Sequence, residues 1–147
     1  MNSAALPPPA PPGTQRRWRS PAIVAASVAL ALVTNLLVYF AGRAAGGGFT
    51  FTRAGQTFEV DAATVAGFTV VPRLAGLVLM AILGRRFPAL FGIAMIGAPT
   101  LAVATIAIMT LPAGFDLAST VALAMCHLTL VPISLVSLRR LRREVSR

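Results

Sequence analysis

Apolar residues in this 147-residue chain gather into four long runs, residues 21–42, 62–84, 88–111 and 117–138. Each is close to the ~20 residues, at about 1.5 Å per residue, that a helix needs to cross a ~30 Å hydrocarbon core. The pattern predicts four transmembrane helices. Pro21 and Pro88 stand at or near helix starts, where a missing N–H costs nothing. Asp61 and Asp116 each precede a run and are expected to cap its free N–H groups. Gly42 and Gly84 punctuate two ends, and Leu111-Pro112-Ala113-Gly114 turns the chain after the third run.

Between the first two runs, residues 43–61 show a different period. After Gly46-Gly47-Gly48, the segments 49–52 and 56–60 alternate Phe or Val with Thr, Gln and Glu around Arg53-Ala54-Gly55. That period of two predicts a β-hairpin, with Gly supplying a positive φ. A lone hairpin is marginal in water, so its Phe face is expected to rest on the helix ends. Its role is read either as a lid over the bundle or as a docking edge for another subunit. Residues 1–20 open with a Pro-, Ala- and Ser-rich stretch too poor in apolar surface to fold alone, and a disordered tail is expected there. Residues 139–147 form a second, basic tail.

Composition sharpens the class. Hydrophobic residues make up 56% of the chain, more than a domain this small can hide from water, and membrane crossings account for the surplus. The formal charge is +9, and all thirteen basic residues are Arg, a bias expected of a high-GC genome. These charges sit at the ends of apolar runs instead of forming one basic face, which argues against nucleic acid as a partner. Cys126 is the sole cysteine, which excludes an intramolecular disulfide, and it reads as a small core residue.

Charge placement also sets orientation. Arg16, Arg17 and Arg19 precede the first run, Arg85 and Arg86 lie between the second and third, and Arg139, Arg140, Arg142, Arg143 and Arg147 follow the fourth. With four crossings all ten share one side, against Arg43 and Arg53 on the other, so both termini are expected to be cytoplasmic. The expected location is the plasma membrane. Anionic headgroups are the expected partners of the clustered Arg residues, and Trp18 suits the headgroup region. A secretory signal is the lesser reading of the first run, which exceeds the usual 7–15 apolar residues and is interrupted by Asn35.

Few polar groups lie within the runs. Arg73 is the sharpest, a permanent charge near the middle of the second run, directly after Pro72. Counting inward from the predicted ends puts Asn35, Thr100 and His127 at similar depth on the other three helices. Polar groups in hydrocarbon seek partners, so a mid-membrane cluster of Asn35, Arg73 and His127 with Thr100 nearby is expected. Three readings of it stay open: interhelical glue, a site for an anion or polar headgroup, and proton-linked chemistry at His127. Ala94, Ala98 and Ala102 on the third run permit close helix approach, within the bundle or at a dimer seam.

Acidic residues are absent from all four runs, which counts against a carboxylate-driven antiporter. One His supplies neither a bis-His haem nor a metal site within one chain, and no cofactor is expected. The chain holds no Ser–His–Asp set, phosphate loop or dinucleotide fingerprint, so no enzyme activity is expected.

Asn35-Leu36-Leu37-Val38-Tyr39 with Gly42-Arg43, the Phe/Thr hairpin, residues 102–112 followed by Gly114-Phe115-Asp116, and Met125-Cys126-His127-Leu128 form a recurring combination. In these the chain resembles small four-helix actinobacterial integral membrane proteins grouped as a domain of unknown function. The resemblance covers about residues 18–138. It implies topology and host and no activity. The fold class expected is therefore an all-α membrane protein, a four-helix transmembrane bundle with a short β-hairpin in the first outer loop. The expected role is that of a non-enzymatic accessory or packing subunit, partnered by a second copy or another membrane protein. The alternative is a small carrier or binder of an anionic or lipid-like ligand at the Arg/His/Asn cluster.

Overall fold

The computed structural model describes residues 19–145. Four helices, each long and apolar enough to cross a membrane, are joined by one hairpin and two short turns. The expectations for residues 1–18 and for Arg147 lie outside the described residues.

Helix α1 covers Arg19–Ala44, with Pro21 harmlessly in its first turn. Gly42 does not end it. The stop is Gly46, at a φ of 90°, with Gly46 N–H donating to Arg43 O and Gly47 N–H to Gly42 O. This paired closure is the left-handed cap that Gly makes without Cβ strain. Gly42 has a different task, close packing against the last helix.

Strands β1 (Thr50–Arg53) and β2 (Gln56–Glu59) pair antiparallel, Thr50 opposite Glu59 and Arg53 opposite Gln56. Ala54 and Gly55 both have positive φ, 52° and 76°, so the two-residue turn is of the mirror-image kind that fits strand twist. Phe51 stacks on Phe58 across the strands and meets Phe115 edge-on at 5.2 Å, seating the hairpin on the chain just before the last helix.

Helix α2, Ala62–Leu83, starts at Asp61, whose carboxylate accepts from Thr64 N–H at 2.7 Å. Helix α3 covers Ala89–Thr105 and continues through one π-helical turn, Ile106–Thr110, and a short 3-10 turn, Leu111–Ala113. Gly114, at a φ of 76°, then turns the chain. Helix α4 is Leu117–Val145, so it runs beyond the apolar stretch through the Arg pairs.

The first and last helices form the spine. α1 packs along α4 and along α2, α3 packs on α4, and α2 and α3 meet only sparsely. One apolar core, around Val24, Leu77, Phe91 and Leu138, closes the Arg-rich end. Another, around Tyr39, Phe49, Val65 and Ala122, closes the hairpin end. Polar groups occupy the interior between them while large apolar side chains cover the outside: Ser27 and Asn35 are buried, whereas Phe68 is 75% and Ile96 73% exposed.

Candidate functional site

Antiparallel packing fixes the levels of the interior side chains. Asn35 meets Thr129 across α1 and α4, and Ser27 meets Ser137 eight residues away on each helix, about 12 Å further toward the Arg-rich end. Two separate polar networks occupy these levels.

The upper network centres on Asn35. Its amide donates to Thr69 Oγ1 on α2 at 2.8 Å, and its Oδ1 lies 3.3 Å from Thr129 Oγ1 on α4, whose single proton it shares with Cys126 O at 3.0 Å. The Cys126 thiol points at Asn35 O from 3.6 Å. A single buried side chain thus links three helices.

The lower network centres on Arg73. Its backbone lies one turn beyond Thr69, and its side chain extends a further turn toward the Arg-rich end. Nε and Nη2 donate to Ser27 Oγ, at 3.1 and 2.8 Å, and Nη1 donates to Ser134 Oγ at 3.0 Å. Each serine hydroxyl has one proton to give. Ser134 gives its own to Leu130 O and Ser137 to Ile133 O, so across the 2.6 Å contact Ser27 donates to Ser137. The positive charge is met by a directed chain of hydroxyls that ends on two carbonyls of α4. No carboxylate takes part.

The expected four-residue cluster does not assemble. Asn35 and Arg73 belong to different networks. His127, half-buried, has Nδ1 at 2.8 Å from Leu123 O on its own helix; a carbonyl only accepts, so Nδ1 carries the proton. Thr100 is exposed on α3 and donates to Ile96 O of its own turn, as Thr105 does to Leu101 O. The partners absent from the sequence-based cluster are Ser27, Thr69, Thr129, Ser134 and Ser137. One signal was available for the first: Ser27, Ala31 and Asn35 recur at four-residue intervals and share a helix face.

Residues 12–144 match the model of a family of unknown function, DUF6069. The chain belongs to this family. No curated protein and no solved structure matches it. Among the described residues of this DUF6069 protein, no three of His, Cys, Asp or Glu gather where they could hold a metal ion.

A third polar group sits at the hairpin end. Asp116 caps α4, accepting from Ser119 N–H at 2.8 Å, and its Oδ2 also accepts from Gly48 N–H at 3.0 Å. Ser119 Oγ accepts from Phe49 N–H at 2.8 Å. Phe49, with a φ of 53°, is held fully buried against Tyr39, the ring centroids 4.6 Å apart. The Ser119 hydroxyl, then the Ser119 and loop amides, pull the Asp116 carboxyl down to about 2. In this DUF6069 fold the hairpin loop is pinned to the start of the last helix.

Proposed function

We propose that this DUF6069 protein is a non-enzymatic integral membrane protein that crosses the plasma membrane of a high-GC bacterium four times. Both termini lie in the cytoplasm, and the protein serves as an accessory or packing subunit beside another membrane protein or a second copy. The inverted surface supports the membrane reading, since apolar side chains cover the outside and hydroxyl and amide groups fill the inside. One observation carries the packing role: the guanidinium of Arg73 is directed at Ser27 and Ser134 of its own bundle. Polar residues used this way join helices.

Cysteine labelling tests the topology. In a Cys126→Ala background, Ser3→Cys and Ser146→Cys should react only from the cytoplasmic side and Thr52→Cys only from outside. Termini on opposite sides would overturn the reading. For the role, gentle detergent extraction followed by native mass spectrometry should find a stoichiometric protein partner or a dimer; a bare monomer contradicts a subunit role.

A second reading has one observation in its favour. Arg73 has five N–H groups, and two of them, on Nη1 and Nη2, lack a partner among the described residues. An anionic or lipid-like ligand would suit them. A small bound species that disappears in folded Arg73→Met supports that reading over pure packing.

A further inference from the structure

Between α1 and α2, at the Arg-rich end, runs a groove of about 770 Å³, a size typical of small-molecule sites, about 300–1,000 Å³. Val24 and Val28 line it from α1, and Leu74 and Val78 from α2. Ser20, in the first turn of α1, and Arg85, just past the end of α2, mark its polar end.

Length and charge both select an occupant. From Ser20 to Val28 the groove follows about 12 Å of helix, and from Leu74 to Arg85 about 16 Å. That is half of a ~30 Å hydrocarbon core, the depth of one leaflet. It ends beside Val28 and Leu74, the residues that directly follow Ser27 and Arg73, so it stops at the level of the lower network. Its walls are aliphatic, with Val24, Ala25 and Val28 facing Leu74, Val78 and Ile82. The groove suits a flexible hydrocarbon chain. Its mouth suits an anion. Arg85 has no acidic partner among the described residues, and Glu144, the sole acidic residue at this end, faces Arg19 at 3.7 Å.

We propose that the groove holds an acyl chain of one anionic glycerophospholipid, with the phosphate against the Arg85 guanidinium and the Ser20 hydroxyl. This rests on the membrane reading above. The lipid would tie α1 to α2 where the described side chains leave a gap, and would make the protein selective among lipids of its leaflet.

Native mass spectrometry on the full chain in detergent, with equal phosphatidylglycerol and phosphatidylcholine, tests this. Wild type should retain one phosphatidylglycerol in preference. Arg85→Gln should cut that preference about five-fold, the weight of one basic residue at an anionic surface. Ala25→Trp, which fills the groove from α1, should lower retention of both lipids, and Arg140→Gln, away from the groove, should leave retention as in wild type. Equal retention of the two lipids by wild type, or equal losses in Arg85→Gln and Arg140→Gln, overturns the proposal. If Ala25→Trp misfolds, the Arg85 and Arg140 comparison decides alone. Carbonate washing separates the two levels: a chain released from membranes defeats the membrane reading, whereas a retained chain without lipid preference defeats only the groove.

Discussion

The backbone of Gly42 on the first helix packs directly on the Ala122 methyl of the last: a Cβ at Gly42 would lie 2.5 Å from Ala122 Cβ and 2.8 Å from the Phe49 ring. No rotamer change relieves an overlap with a methyl group. Gly42→Ala should therefore lose about 1–3 kcal/mol, typical of overpacking, read as a lower unfolding midpoint in detergent. Gly67→Ala is the control, because a Cβ there meets nothing within 4 Å; it should be neutral or gain about 0.5–1 kcal/mol.

The Arg73 network is asymmetric to mutation. In the proposed membrane setting, Arg73→Met removes a charge whose placement mid-helix costs about 2.5–3.5 kcal/mol, along with bonds worth about 0.6 kcal/mol each. A change within about 1 kcal/mol is expected. Ser27→Ala strips the guanidinium of its double acceptor and should cost more, about 1–3 kcal/mol. In the double variant most of that loss should vanish. Reversible unfolding of the four proteins measures the coupling; additive effects would contradict the network.

Acid should release the hairpin loop. Asp116 has its carboxyl held at about 2, below the ordinary 3.8, so its stabilising contribution is complete above about pH 4 and lost as pH falls through about 2. Protection of the Gly48 and Phe49 amides, their exchange relative to a free peptide at the same pH, should fall in that window. Asp116→Asn should remove most of the pH dependence of this protection.

Cys126 is buried at the α1–α4 seam. A maleimide should leave it untouched in the folded protein and modify it at the rate of unfolding. Rapid labelling under native conditions would mean that the seam opens.

Much of the fold was legible because each helix is announced by one long-wavelength property, a run of apolar residues as long as a hydrocarbon core. The hairpin was legible from alternation, although the sequence pointed to Gly55 alone for positive φ and Ala54 shares it. The polar interior was harder to read. Depth can be counted along a run, but the direction a side chain faces depends on which helices become neighbours. His127 follows buried Cys126 by one residue, about 100° around the helix, and so leaves the seam. Thr100 sits on α3, whose packing is against α4, and turns outward to its own backbone. Ser134 and Ser137 carry no signal in the sequence, since a serine bonded to its own helix looks like any small residue. The π-helical turn at Ile106–Thr110 likewise follows from no pattern in IAIMT.

The attachment of Arg73 to both ends of the chain imposes an order on biosynthesis. Ser27 is made before Arg73, whereas Ser134 and Ser137 follow it by about sixty residues. The charge must wait on a single hydroxyl and carbonyl of α1 until α4 arrives. A nascent chain halted before α4 should thus be the form most exposed to quality-control proteases.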